Sequence, residues 1–249
     1  MSGHSKWSQI KRQKGVADVR RGAVFTKLGR EIVVAAKQGG GDPTANFRLR
    51  LAVQRAREAN MPADTIDRAI KRAAGGGEGA ELEEIAYEGY GPGGIAIMVE
   101  AMTDNRNRTA ASIRSTFDRG GGNLGETGSV AWQFVGRGVI RVDARGKDSD
   151  DIELAAIDAG AEDVQSEDSE VIVYTDRGSV EAVRRGLTDA GYEVTASDLH
   201  LVPENTVELD EAKSIQALKL LDKLEADDDV QNVYTNADFA ESAMEAFNA

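Results

Sequence analysis

Five segments between residues 139 and 202 decide the fold: VIRV (139–142), DIELAAIDA (151–159), VIVYT (171–175), VEAVRRGLTDA (180–190) and TASDLHLV (195–202). The first, third and fifth are short and carry β-branched residues, which is typical of strands. The second and fourth repeat apolar residues at helical spacing. Two helices against three or four strands predict a small α+β sandwich of ferredoxin-like type.

The flanking sequence predicts a second α+β unit on both sides of this region. A strand at 94–102, a helix at 109–117, a glycine-rich loop at 120–128 and a strand at 129–135 precede it. A helix at 211–224 and a strand at 230–234 follow it. Because this last strand has no local partner, we expect it to return to the sheet of the second unit. The predicted boundaries are 79–135 with 204–249 for the second domain, and 136–203 for the inserted domain.

The first part of the chain has a helical period. Apolar residues share one helix face at Val24, Phe25, Leu28, Ile32 and Ala35, and further helical patterns follow Pro43 and Pro62. The glycine-rich stretch 75–79 is a flexible linker. We therefore predict a helical domain over 1–78, and a multidomain protein that combines α and α+β domains.

The composition excludes several kinds of chemistry. The 249 residues include no cysteine, and only His4 and His200 supply imidazole, so thiolate or multi-histidine metal sites cannot form. No nucleophile–base set and no Walker loop is present, so we expect no enzyme, no cofactor and no metal. The longest apolar runs are five residues and no secretory signal is present, which predicts a cytoplasmic protein that does not enter a membrane.

The net charge of −13 is unevenly distributed. Residues 1–77 contain sixteen Lys and Arg against six Asp and Glu, a net charge of +10. The remainder contains fourteen basic and thirty-seven acidic residues, a net charge of −23. A cationic module of this size is typical of a protein that binds a polyanion, although charge clusters are also found on ordinary solvated surfaces.

The candidate nucleic-acid-binding residues come mainly from the basic part of the chain. Trp7 could stack on a base or anchor the terminal segment in a core. Arginines on the second helix form two stripes, 48 with 55 and 50 with 57, which either contact phosphate or are solvated. Arg106 and Arg108 stand at a strand-to-helix junction, where they could contact phosphate or tie domains together. The predicted set is Lys6, Trp7, Lys11, Arg12, Lys14, Arg20, Arg21, Lys27, Arg30, Arg48, Arg55, Arg106 and Arg108.

Several motifs in one order resemble those of the YebC/PmpR family, whose mitochondrial relatives are translational activators of cytochrome oxidase. They include GHSKW (3–7), FTKL (25–28), GGGDP (39–43), NMP (60–62), YEGYGPGG (87–94), TDNRNRT (103–109), GGNLG (121–125), NTVEL (205–209) and DVQNVY (229–234). The resemblance runs nearly end to end. It implies a helical first domain, an α+β second domain with a ferredoxin-like insertion, and no catalytic residue. Lys6, Lys27 and Arg30 match the family pattern directly.

The leading hypothesis is a non-enzymatic, DNA-binding transcriptional regulator. The alternative is a ribosome-associated translation factor that binds ribosomal RNA and relieves stalling at proline-rich stretches, as some members of the family are described to do. A third hypothesis is a ligand-sensing module in the inserted domain. The expected partner is nucleic acid, with the ribosome or the transcription machinery as a further candidate.

Overall fold

The computed structural model describes Trp7 and residues 18–74, 82–167 and 169–248. It describes the side chains of Trp7 and of residues 22–73, 82–167 and 169–247. Its described residues form two compact units. One unit is Gln133–Glu204, and the other combines the residues before it with those after it. The architecture is mixed, with a helical amino-terminal region and antiparallel sheets, as the sequence predicts.

Within residues 18–74, three helices are described: α1 (Asp18–Gly39), α2 (Phe47–Glu58) and α3 (Ala63–Ala74). Asn46 caps α2, because its side chain accepts a hydrogen bond from Leu49 N and donates to the carbonyls of Ala35 and Gly40. Positive φ angles at Gly40 and Asn60 let the chain turn between the helices. The buried core of this bundle is Ile32, Ala35, Ala36, Leu49, Ala52, Val53, Ala56, Met61 and Ile66.

A four-stranded sheet forms the centre of the same unit. Its strands are β1 (Glu83–Tyr90), β2 (Ala96–Thr103), β3 (Asn123–Leu124) and β9 (Val230–Thr235), in the order β3-β1-β2-β9. The β2–β9 pairing is the long-range return expected from the sequence. Helices α4 (Arg106–Arg119) and α7 (Glu211–Glu225) supply Ile113, Phe117, Leu218 and Leu221 to the core of this sheet.

The second unit has the ferredoxin-like order of elements. It runs β4 (Phe134–Asp143), α5 (Ser149–Asp158), β5 (Asp163–Ser166), β6 (Glu170–Thr175), α6 (Val180–Asp189) and β7 (Val194–Pro203). The antiparallel sheet has the order β5-β6-β4-β7. Two split β-α-β motifs produce this order, in which the first and third strands are central.

The remaining elements were not predicted from the sequence. They are β1, β3, β5, the short parallel pair β8 (Val207–Glu208) with β10 (Ala237–Asp238), and α8 (Glu241–Asn248). The strand predicted at 129–135 is wrong in its extent, because residues Ala131–Gln133 form a 3₁₀ turn and Phe134 begins the long strand β4. Across the described residues, no helix is long and apolar enough to span a membrane.

Candidate nucleic-acid interface

The most basic stretch of the sequence falls largely outside the part of the chain that the structure describes. Lys6, Lys11, Arg12 and Lys14 lie outside the described residues. Arg20 and Arg21 belong to the first turn of α1 by their backbone. The role predicted for these six residues therefore stays a prediction.

Trp7 lies in a hydrophobic core. Its side chain is 3% exposed and belongs to the same core cluster as Ile97, Phe117 and Leu221 of the α+β sheet and its helices. The indole N–H has no hydrogen-bond partner among the described residues. A base can stack only on a ring with a free face. This burial agrees with the anchoring alternative and argues against base stacking by Trp7.

Lys27 and Arg30 of α1 point at the turn between α7 and β9. Lys27 Nζ donates to the carbonyl of Glu225 at 2.5 Å, and Arg30 Nη1 donates to the carbonyl of Asp228 at 2.5 Å. Glu225 is the last residue of α7, so the two cations lie where the helix dipole is negative. Both side chains thus join the helical bundle to the α+β sheet.

Asp229 is the centre of this junction. Its Oδ1 accepts from Arg30 at 2.7 Å, and its Oδ2 accepts from Arg108 at 2.8 Å and from Thr109 at 2.6 Å. Thr103 also donates to Oδ2, at 3.3 Å. Burial acts to raise the pKa of Asp229, but the hydrogen bonds from Thr109, Arg108 and Arg30 outweigh it and hold this pKa below its ordinary value. The motif at 103–109 therefore builds a buried carboxylate site that receives Arg30.

A second junction involves Glu84 at the start of the α+β sheet. Both oxygens of this carboxylate accept from Arg48, and Oε2 also accepts from Gln38 at 2.7 Å. The hydrogen bond from Arg48 is the main cause that lowers the pKa of Glu84. Within the bundle, Arg55 Nη1 lies 3.0 Å from both oxygens of Glu31. The 48/55 stripe is therefore engaged with carboxylates.

The two candidates on α4 also have acidic neighbours. Arg108 contacts Asp104 at 2.9 Å as well as Asp229, and Arg106 lies 3.6 Å from Glu83 in an exposed pair. Exposed pairs of this kind contribute little to stability and exchange readily with other ions. Arg106 is therefore the more accessible of the two to a phosphate.

The structure exposes a different group of basic side chains on α2 and α3. Arg50 and Arg57 are seven residues apart, so they form one stripe of α2, and Arg68, Lys71 and Arg72 share one face of α3 by their spacing. All five are exposed, and none forms an ion pair within the described ranges. We call these five residues the α2–α3 basic set.

The choice between the two arginine stripes of α2 could not be made from the sequence. Residues 48 and 55 have the same spacing as 50 and 57, so periodicity treats the stripes alike. The carboxylate that engages Arg48 comes from β1, a strand that was not predicted. Arg68, Lys71 and Arg72 could have been found by their offsets of three and four residues on a predicted helix.

Comparisons with known proteins cover nearly the whole chain. Residues 5–76 match the family description "TACO1/YebC protein N-terminal domain", and residues 82–237 match "TACO1/YebC second and third domain". Proteins named "Probable transcriptional regulatory protein" are similar to this chain in Thermomicrobium roseum (55% identity, 96% of this chain and 97% of the relative) and Roseiflexus castenholzii (54%, 99% of both).

A solved structure is also similar. The crystal structure of a conserved hypothetical protein, Aq1575 from Aquifex aeolicus, superposes with a TM-score of 0.83 at 44% sequence identity. The match covers 90% of this chain and 93% of that chain.

Proposed function

The chain belongs to the TACO1/YebC family, and on this premise we propose that it is a regulator of gene expression that binds nucleic acid and catalyses no reaction. Its relatives are named as probable transcriptional regulatory proteins, which favours DNA as the nucleic acid. The single observation that carries the proposal is the α2–α3 basic set, five exposed cations without a carboxylate partner among the described residues.

The physical basis is neutralisation of phosphates. Lys and Arg side chains displace counterions from the nucleic-acid backbone, so each contact contributes affinity with little sequence preference. Arg can also bind two phosphate oxygens at once, which fixes the orientation of the backbone. Cations already held by Asp229, Glu84 or Glu31 would have to give up those partners first. We therefore assign the phosphate contacts to the α2–α3 basic set together with the basic sequence before α1.

The acidic remainder of the chain supports a one-sided arrangement. Residues 78–249 carry a net charge of −23, which repels a polyanion. Phosphate binding is then confined to the helical region, and the α+β domains remain available for other contacts. DNA and RNA share this phosphate chemistry, and no base-reading set of Asn and Arg side chains is recognised on α2 or α3.

The test uses the full-length protein and two probes of equal length, a mixed-sequence DNA duplex and a ribosomal RNA hairpin, in gel-shift titrations at several salt concentrations. Arg50→Gln/Arg57→Gln should weaken binding and reduce the slope of log K against log salt by about 2 on the duplex. Arg114→Gln/Arg119→Gln on α4 is the matched control, because both arginines are exposed and lie outside the set.

Equal loss of affinity in the two double variants would contradict the assignment of the α2–α3 basic set. Tight binding to the RNA hairpin with weak binding to the duplex would instead favour the ribosomal alternative over DNA. Binding that does not change with salt would contradict phosphate neutralisation for either probe.

A further inference from the structure

Helix α5 of the inserted unit exposes apolar side chains on the side away from its core. Ile152 and Ala156 are fully buried against the unit, as expected of one helix face. Leu154 and Ile157, three residues apart and adjacent on the outer surface, are 62% and 58% exposed. Burial of such side chains is a main source of folding free energy, so this pair contributes little to the stability of its own unit.

Acidic side chains surround the pair. Asp150 and Asp151 lie four and three residues before Leu154, and Asp158 lies four residues after it, so all three flank it on the helix surface. All three are exposed, and none forms an ion pair within the described residues. We call Leu154, Ile157 and these three aspartates the α5 outer face.

Helix stability explains only part of this charge pattern. Asp150 and Asp151 lie in the first turn of α5, where the helix dipole favours a negative charge. Asp158 lies in the last turn, where the dipole disfavours it, and that turn contains no basic residue. A carboxylate at this end of the helix does not stabilise α5, and a cation from a partner would offset the unfavourable dipole interaction.

We propose that the α5 outer face docks a cationic amphipathic segment of a partner protein. Leucine or similar side chains of that segment would cover Leu154 and Ile157, while its Lys or Arg side chains would pair with the aspartates. Long basic side chains suit this role because their alkyl stems also cover apolar surface. Electrostatic complementarity of this kind raises the association rate and selects the partner by charge.

The charges on the face argue against other occupants. A nucleic acid or an anionic membrane surface carries negative charge and would be repelled by Asp150, Asp151 and Asp158. A second copy of this chain bound through the same face would bring the three aspartates against their own equivalents, because a two-fold contact is self-complementary. A basic protein segment satisfies both the apolar pair and its acidic rim. This inference does not depend on the proposed function, because no nucleic acid takes part.

The experiment uses the full-length protein and a synthetic peptide with leucine at helical spacing and lysine at the other positions. Binding is measured by fluorescence anisotropy, with a peptide carrying glutamate in place of lysine as the negative probe. We expect the lysine peptide to bind and the glutamate peptide not to bind. Leu154→Ser/Ile157→Ser should weaken it by about tenfold or more with an unchanged melting temperature, because both side chains are exposed.

Charge variants separate the face from the general acidity of the chain. Asp151→Asn/Asp158→Asn should also weaken binding and should flatten its salt dependence. Asp189→Asn at the end of α6 removes an exposed carboxylate elsewhere on the same unit and should leave binding unchanged. Equal affinity of the Leu154→Ser/Ile157→Ser variant and the unaltered protein would overturn the proposal.

The alternative occupants give distinct results. Sedimentation equilibrium measures self-association of the protein without peptide. The unaltered protein and the Leu154→Ser/Ile157→Ser variant should have the same apparent mass. Phosphatidylglycerol vesicles mixed with the protein in the absence of peptide should not co-sediment with it. A dimer that dissociates in this variant, or vesicle binding that requires Leu154 and Ile157, would overturn the assignment of a basic protein segment.

Discussion

Arg30 Nη1 lies 2.7 Å from Asp229 Oδ1, although the two residues are 199 positions apart in the sequence. The same carboxylate receives Arg108 and Thr109 on its other oxygen. The pair therefore connects α1 of the helical bundle to α4 and to the turn before β9. Residues that sequence patterns place in a phosphate-binding set serve here to hold two parts of one unit together.

The first prediction concerns the loss of this carboxylate. Asp229→Asn should lower the free energy of unfolding by about 2–4 kcal/mol, because breaking a buried pair leaves Arg30 without its charged partner. Chemical denaturation measures this change. Asp228→Asn is the control, because Asp228 immediately precedes Asp229 in the sequence and its side chain is exposed. Equal stability of the two variants would show that the Arg30–Asp229 contact is not a stabilising one.

The second prediction is a pH dependence with a definite sign. Folding lowers the pKa of Asp229 below the ordinary value of 3.8, so the unfolded state binds a proton more readily than the folded state does. The stability from this group is therefore present above about pH 4 and is lost as the pH falls through the lower, folded pKa. Thermal unfolding between pH 6 and about pH 3 should show a smaller loss in Asp229→Asn than in the unaltered protein. Parallel curves would assign the acid sensitivity to other carboxylates.

The third prediction concerns Glu88, which holds the end of the glycine-rich loop and the residues that follow it. Its carboxylate accepts from the backbone N–H groups of Gly128, Val130 and Ala131 at 2.7–2.8 Å. Burial acts to raise the pKa of Glu88, and these three hydrogen bonds hold it below its ordinary value. Glu88→Gln should cost about 1.5–3 kcal/mol, because an amide NH₂ cannot accept.

Hydrogen exchange provides the measurement for Glu88. The amides of Gly128, Val130 and Ala131 should exchange faster in Glu88→Gln, while those of β6 should not change. Glu126→Gln, in the same loop with an exposed side chain, is the control. Unchanged protection of the three amides in Glu88→Gln would contradict the role given to this carboxylate.

The fourth prediction separates the two tryptophans by fluorescence. Trp7 is buried, whereas Trp132 is 71% exposed and donates to the carbonyl of Ser129. In Trp132→Phe, the remaining emission should be blue-shifted and little quenched by acrylamide, and it should not change when DNA is added. In Trp7→Phe, the emission should be that of a solvated indole. Quenching of Trp7 by DNA would restore the base-stacking interpretation that its burial argues against.

The sequence predicts local elements better than it predicts partners. All strands and helices of the inserted unit except β5 follow from periodicity, and β9 returns to β2 as expected from its lack of a local partner. Strand β1 was missed because its residues EEIAYEGY are mostly polar or small, and its burial is graded along the strand. The carboxylate that pairs with Arg30 comes from the turn before β9, and the carboxylate that pairs with Arg48 comes from β1. Their pairing is a tertiary property that spacing within a helix does not encode.

The last prediction compares two arginines of the helical bundle that differ in their contacts. Arg30 is held by Asp229, whereas Arg57 is exposed at the end of α2 and has no ion-pair partner within the described residues. Arg30→Gln should lower the free energy of unfolding by about 1–3 kcal/mol, because a hydrogen bond to a charged group is lost at a buried site. Its effect on the salt slope of DNA binding should be small.

Arg57→Gln should show the opposite pattern. The stability should stay within about 0.5 kcal/mol of the unaltered protein, as for most exposed substitutions. The slope of log K against log salt should fall by about 1, because one phosphate contact is removed. Denaturation and gel shifts on both variants measure the two effects separately. If Arg30→Gln weakens DNA binding more than Arg57→Gln does while the fold remains intact, phosphate must displace Asp229, and the interface then includes the junction between the bundle and the sheet.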